Sequence, residues 1–413
     1  MKVLYRSYAR ILAQKIILPY VHILFGARQT GKSTLLRSLL PRETKIFDLA
    51  DPEERARFAA SPGLFASICR GLPDRPGGAF VFVDEAQTVP SIFDAVQSLY
   101  DADKERYRFV LCGSSARRLR TADANLLPGR SIRYILNPLI DDEYSYGPER
   151  GTQSEAGQES FPWQSLEARL VFGDLPGISL AGTEDLKADL LKTYAISYLE
   201  EEVRKESIVK DWGQFLRFLK FASSESGSIV NFSSVSRETG IQATTVKAYY
   251  QLLEDMFIGF TVSAFSGSAR KSVLSSPRFF LFDNGVRNAA AGLPLTLDTV
   301  NAAPGQLFEH WVGCELWRRL SYEGSGTLSY YRTSDGVEVD FIVELAGEII
   351  PVEVKWTQSP GLHDTRHLRG FIKEHTRVAR RGVIVSRCPH RLMLEENIVA
   401  VPWWSLWGEI KGN

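Results

Sequence analysis

The chain has 413 residues, 44% of them hydrophobic, with 49 basic and 49 acidic side chains and a formal net charge of zero. That length predicts a multidomain globular protein with several packed cores, and the balanced charge rules out nucleic-acid binding by overall basicity, leaving only local patches to provide it. No uninterrupted apolar stretch approaches the roughly 18 residues a spanning helix needs. Met1-Lys2 is not followed by a signal-type core, and four scattered cysteines (Cys69, Cys112, Cys314, Cys388) form no C-x-x-C pair. The expectation is a cytoplasmic protein with no membrane partner, no disulfide framework and no zinc site.

The first predicted strand, Val21 to Phe25, runs into Gly26-Ala27-Arg28-Gln29-Thr30-Gly31-Lys32-Ser33 and then into a helix-like stretch from Thr34 to Leu40. This is a complete G-x-x-x-x-G-K-[ST] loop between a strand and a helix. Its glycines let backbone N–H groups turn inward around phosphates, and the N-terminus of the helix favours negative charge. Lys32 is placed for the β- and γ-phosphates and Ser33 for Mg²⁺, which makes ATP and Mg²⁺ the expected cofactors.

A second apolar run, Ala79 to Val83, has the continuous character of a buried parallel strand and ends in Asp84-Glu85. Ligands bind at the carboxyl ends of such strands, so Asp84 is expected to hold Mg²⁺ and Glu85 to orient and polarise the attacking water. A third run, Arg108 to Cys112, ends in Gly113-Ser114-Ser115. Ser114 is expected to hold the water or to sense the γ-phosphate, the alternative being a simple serine-rich turn.

The segments GARQTGKST, FVDEAQ, LCGSSARRL and the later LPGR together resemble the AAA+ ATPases of bacteria and archaea that carry a C-terminal domain of unknown function with a fold like the PD-(D/E)XK nucleases. The likeness runs over nearly the whole chain. It implies an α/β architecture that starts with a P-loop AAA+ parallel-sheet core in residues 1–140. In that core Asp84 and Glu85 are the Walker B pair and Ser114 is the sensor. Arg130, in Pro128-Gly129-Arg130 before the strand Ile132 to Leu136, falls where such proteins place an arginine finger, with Arg117 and Arg118 as competitors. A finger acts on a neighbouring subunit's nucleotide, so the resemblance implies a homo-oligomeric ring, with a hexamer among the options. Read from the residues alone, Arg130 is an arginine before a strand.

Residues 141–164 are polar and turn-rich, as a linker is. Residues 165–207 are helical in pattern and correspond to the small lid of the resembled family. Within 208–265, Phe215 to Ala222 is one helix, and two further helices meet at Gly240-Ile241. The second of these offers Gln242, Thr244, Thr245 and Lys247, and Phe257 to Val262 follows as a strand. This is a helix-turn-helix pattern of winged-helix type, which serves either DNA or a protein partner.

Residues 266–413 are expected to form an α/β nuclease-like domain. Arg278 to Gly285 leads into it, with Asp283 in a structural role. Gly336 to Val343 and Glu348 to Trp356 alternate as a hairpin, and Glu353 and Lys355, two apart, face one side. With Asp340 on the partner strand they make a D…E-x-K set, and in the resembled fold Glu309, on a helix from Gly305 to Leu316, completes it. Such carboxylates suit Mg²⁺ or Mn²⁺. A basic run (Arg366, Arg369, Lys373, Arg377, Arg380, Arg381, Arg387, Arg391) is either a nucleic-acid footprint or a solvated face. The leading expectation is an oligomeric ATPase that binds or remodels DNA, branched or junction DNA included. The alternatives are an ATP-gated docking switch for a protein partner and an ATP-regulated metal nuclease.

Overall fold

Parallel pairing organises the N-terminal part of the chain. In the computed structural model, which describes residues 4–115, 128–147, 159–205, 209–265, 276–333 and 336–412, the chain divides into two units. The first comprises 1–143 with 155–161 and 255–258, and the second the remainder. Arg117, Arg118 and residues 148–158 of the expected linker lie outside the described residues.

In the first unit, β1 (Val21–Phe25), β2 (Lys45–Asp48), β3 (Ala79–Asp84), β4 (Tyr107–Gly113) and β5 (Ser131–Ile135) form one sheet in the order β2-β3-β4-β1-β5. Every neighbouring pair is parallel. The apolar runs read as strands are β1, β3, β4 and β5. The edge strand β2 was not foreseen, because in Lys-Ile-Phe-Asp only Phe47 is fully buried. A parallel sheet brings all its carboxyl ends to one edge. Since β4 lies between β1 and β3, the loop after β4 opens between the glycine loop and the two acids.

The core on one side of this sheet is aromatic. Phe47 meets Phe58 edge-on at 5.3 Å and Phe65 at 4.7 Å between centroids, and Phe109 joins them from β4. Phe58 and Phe65 come from α3 (Pro52–Ala60) and α4 (Pro62–Arg70). The first of these helices starts on Asp51, whose carboxylate accepts from Glu53 N at 2.9 Å, with Pro52 at the first helical position. Each such buried ring contributes about 1.5–3 kcal/mol of burial free energy.

In the second unit the stretch read as a lid becomes the helices Leu166–Phe172, Pro176–Ser179, Glu184–Thr193 and Leu199–Lys205, and Trp212–Ser224, Phe232–Thr239 and Ala243–Asp255 follow. Next comes a mixed sheet of β6 (Gly259–Ala264), β7 (Arg278–Leu281), β8 (Thr327–Arg332), β9 (Glu338–Leu345), β10 (Glu348–Lys355), β11 (Gly382–Ser386), β12 (Leu392–Glu395) and β13 (Ile398–Pro402). Its order is β12-β13-β11-β10-β9-β8-β6-β7. The strand expected to close the helix-turn-helix pattern is therefore β6, antiparallel to β7 and parallel to β8 in a sheet shared with the C-terminal part. Packing favours this merger, since Phe260 of β6 stacks on Trp317 of the helix Pro304–Glu323 at 4.3 Å and on Phe280 of β7 at 5.3 Å.

A fully buried ionic network ties the early helices to the later ones. The Asp174 carboxylate accepts from Arg169 Nε and Arg318 Nη1, each at 2.8 Å, and from Trp311 Nε1 at 3.2 Å. Asp283 accepts from Asp174 N at 2.7 Å and caps the helix Asn284–Ala291 through Val286 N. Burial works against charge on Asp174, but the two guanidiniums outweigh it and hold the acid below its ordinary range. Burial pushes Asp283 up to about 6. Gly173, at φ +71°, has no room for a side chain, because a Cβ there would stand 2.0 Å from Asp283 Oδ1.

Candidate functional site

The glycine loop has the conformation its sequence demands. Gly26 (φ +151°) and Gly31 (φ +91°) take backbone angles closed to other residues, and Gln29 also has positive φ, at +62°. A Cβ at Gly26 would lie 2.3 Å from Leu136 O. Thr30 Oγ1 donates to Ala27 O at 3.0 Å. Lys32 starts α2 (Lys32–Leu39), and its buried ammonium donates to Gly26 O at 3.0 Å and Ala27 O at 2.9 Å. Arg28 is half-buried, and Gln29 and Thr34 are exposed.

The acids converge on this loop. Ser33 Oγ donates to Asp84 Oδ1 at 2.8 Å, so a hydroxyl from α2 and a carboxylate from β3 stand together. Glu85 sits at φ +53°, a left-handed conformation uncommon for a side-chain residue and typical of strained functional turns. Gln87 Nε2 bridges Glu85 Oε2 at 2.5 Å and Ser114 Oγ at 3.1 Å, which brings the end of β4 onto the catalytic candidate. The set suits a magnesium–nucleotide complex on three observations. The loop curls around the lysine, the ammonium rests on neutral carbonyls with no ion pair among the described residues, and hard oxygen donors adjoin as Mg²⁺ requires.

Several members had escaped sequence reasoning. Gln87 lay within the quoted FVDEAQ run without an assigned role. Cys112 donates its thiol to Asp84 Oδ1 at 2.8 Å, and burial holds that thiol well above its usual range. Arg37, one turn into α2, reaches Asp48 at 2.7 Å and Asp84 at 3.4 Å. Arg6 clamps the loop from behind, bonding Thr30 O at 2.6 Å, Asn137 O at 2.7 Å and Glu143 at 3.1 Å. No local pattern marks Arg6, whose partners lie far along the chain.

Arg130 stands elsewhere. Its carbonyl accepts from Val21 N at the start of β1, and its Nε pairs with Asp101 at 2.6 Å. The glycine loop leaves the other end of β1, about 16 Å along the strand at its usual rise per residue.

In the second unit, β9 and β10 form the expected hairpin around Ala346-Gly347. Asp340 Oδ2 accepts from Val354 N at 2.8 Å, and Lys355 Nζ donates to Glu353 Oε1 at 2.7 Å. Glu309, on the helix Pro304–Glu323, accepts from Arg278 Nη1 at 2.8 Å. Burial and the neighbouring Asp340 push Glu309 up to about 7 and Glu353 to about 8. Burial also raises Asp340. Burial opposes the charge on Lys355, but Glu353 prevails and raises it. Glu309, Asp340, Glu353 and Lys355 are thus brought into one electrostatic cluster. Among the described residues, however, no three His, Cys, Asp or Glu side chains gather as a metal site requires, and Glu309 is paired with Arg278 and Glu353 with Lys355.

Half of the basic run is internally paired: Arg369 with Glu395, Arg381 with Glu348, Arg387 with Glu167 and Arg391 with Glu409. Arg366, Lys373, Arg377 and Arg380 are exposed. Among the described residues no helix is long and apolar enough to cross a membrane.

Comparison with known proteins matches residues 19–145 to an AAA domain, residues 164–296 to one domain of unknown function and residues 304–406 to another. The chain is similar to an uncharacterized protein of Mycobacterium tuberculosis, 25% identical over 92% of this chain and 80% of that one. It is also similar to one of Haemophilus influenzae, 23% identical over 88% and 89%. A signal transduction ATPase with numerous domains from Pyrococcus horikoshii aligns over 78% of this chain and 48% of its own, at 14% identity and a TM-score of 0.27. A DNA polymerase III gamma subunit-related protein of Thermotoga maritima gives the same identity and score over 76% of this chain and 100% of its own. Both likenesses are too slight to bear on function. The AAA match spans the glycine loop, both acids and the β4 serine, and it supports an AAA-type ATPase.

Proposed function

We propose that the chain is an oligomeric Mg²⁺-dependent ATP hydrolase of AAA type that couples turnover to holding or remodelling DNA. The observation that carries the ATPase reading is the convergence at one sheet edge of Lys32, Ser33, Asp84, Glu85, Gln87 and Ser114. Residues 26–34 and the N-terminus of α2 hold the phosphates, while Ser33 and Asp84 hold the magnesium ion. That ion, when bound, neutralises charge on the β- and γ-phosphates. Glu85 orients the attacking water, with Gln87 and Ser114 fixing its carboxylate.

Arg130 is assigned to a neighbouring subunit's nucleotide, because it lies at the opposite end of β1 from its own glycine loop. Arg130→Ala is expected to cut turnover while leaving ATP affinity intact. Mixing it with Glu85→Gln subunits restores activity if the finger acts across an interface, and no restoration removes that assignment.

The DNA part rests on the three helices Trp212–Ser224, Phe232–Thr239 and Ala243–Asp255 followed by the β6–β7 hairpin. Gln242, Thr244 and Lys247 are exposed and Thr245 is half-exposed at the start of the last helix. A second reading, an ATP-gated docking switch for a protein partner, is favoured by the scarcity of cations on that helix and by the internal pairing of half the basic run. ATP turnover measured with single-stranded, duplex and four-way-junction DNA at two salt concentrations separates them. Salt-sensitive stimulation supports the DNA reading, and turnover indifferent to every DNA supports the switch.

A further inference from the structure

Arg278 is the one arginine bonded to Glu309 in the C-terminal cluster among the described residues, and the D…E-x-K pattern does not contain it. It comes from β7 and is buried. Its Nη1 donates to Glu309 Oε1 at 2.8 Å and approaches Asp340 O at 3.4 Å, while its Nη2 bonds Glu338. The Tyr330 ring lies 5.0 Å from its guanidinium. On the other side of the cluster Lys355 is committed to Glu353.

We propose that the Arg278 guanidinium occupies the cation position of the C-terminal acidic cluster, so that this unit holds its carboxylates together without a divalent metal. A divalent ion would need the helix carboxylate of Glu309, which already faces a fixed positive charge, and bringing a second cation beside that guanidinium is electrostatically unfavourable. Arg278, Glu309 and Glu338 line a pocket of about 220 Å³ shared with Arg332 and Gln306, ample for a hydrated ion beside Glu309. Glu353 has an internal cation of its own, its Oε1 accepting from Lys355 Nζ at 2.7 Å, while its Oε2 is buried without a hydrogen-bond partner.

The test is Mn²⁺ binding to the full nucleotide-free chain, followed by calorimetry and by Mn²⁺ electron paramagnetic resonance, in the parent, Glu353→Gln, Arg278→Met and the double variant. The parent is expected to show no Mn²⁺ binding that Glu353→Gln removes. Arg278→Met is expected to gain a Mn²⁺ site at least tenfold tighter than any in the parent, and the added Glu353→Gln to abolish that gain. A Glu353-dependent Mn²⁺ site in the parent overturns the proposal, and so does a folded Arg278→Met chain that gains none. Should Arg278→Met not fold, the comparison of parent with Glu353→Gln decides by itself. Because both arms are read without nucleotide or DNA, failure here leaves the ATPase reading untouched.

Discussion

Two clusters in this molecule are built from the same ingredients, a lysine and carboxylates at strand ends, yet they reach opposite electrostatic states. At the edge of the first sheet Lys32 rests on the neutral carbonyls of Gly26 and Ala27, and Asp84 accepts from a hydroxyl and a thiol with the Arg37 guanidinium at 3.4 Å. In the second sheet Lys355 is paired with Glu353, and Arg278 with Glu309 and Glu338. The first cluster leaves its lysine without an acidic partner among the described residues, whereas the second has spent its lysine and its arginine on its own acids. Residue types and spacing alone do not reveal whether a charged cluster can bind. What decides it is whether each charge already has an internal partner.

The largest effects should appear where charge is held in reserve. Glu85→Gln is expected to lower ATP turnover by about 100-fold or more, in the range for loss of a positioned base, while nucleotide binding, followed by a fluorescent ATP analogue, persists. Lys32→Ala is expected to weaken that binding itself. Undiminished hydrolysis by Glu85→Gln would remove the contrast between the two clusters, since the first would then have no working carboxylate.

Next in size is a test of the self-neutralised style on which the second unit relies for its cohesion. Asp174→Ala leaves Arg169 and Arg318 buried with their shared acid gone, and removing one partner of such a network costs about 3–5 kcal/mol. Denaturant unfolding of the full chain should show the second unit lose stability while nucleotide binding by the first is retained at low denaturant. A loss below about 1 kcal/mol, typical of surface pairs, would mean that the network is not what joins these helices.

The same contrast explains what could be read in the sequence. Gly26 to Ser33, Asp84-Glu85 and Ser114 were legible because each stands at the end of a continuous apolar run, and parallel pairing delivers those ends to one edge. The positions of Asp340, Glu353 and Lys355 were legible too, because a two-residue hairpin fixes their register. The partners were not. Arg278 and Arg6 reach their sites over long sequence separations, and nothing in their neighbours' pattern marks them. Strand β6 looked like the end of a separate module because the pairing that places it in the larger sheet comes from β7 and β8, later in the chain. Gln87 was hidden differently: it stood in a recognised motif, but its role depends on a bridge to Ser114 that only the adjacency of β3 and β4 creates.

Gln87→Ala is therefore a sharper probe of the first cluster than of its chemistry. With the bridge gone, Glu85 keeps its carboxylate but loses its orientation, so turnover should fall about tenfold, near the effect of one lost hydrogen bond to a charged group. The KM for ATP should hold, since Gln87 bonds Glu85 and Ser114 and not the loop. A rise in KM with unchanged maximal rate would place Gln87 in nucleotide binding instead.

The smallest effect concerns the turn that sets the second cluster's register. Ala346 and Gly347 link β9 to β10 with φ of +51° and +83°, the left-handed pair that a two-residue hairpin requires. At Ala346 a methyl group opposes that conformation, at a cost of about 1 kcal/mol. Ala346→Gly relieves the clash but frees the unfolded chain, so the expected gain is a few tenths of a kcal/mol up to about 1 kcal/mol. Because the substitution leaves every charge in place, Mn²⁺ binding should be unchanged while thermal stability rises slightly. If Ala346→Gly instead altered metal binding, the register of Asp340 against Glu353 would be adjustable, and the pairing of charges in this cluster would depend on the turn as well as on Arg278.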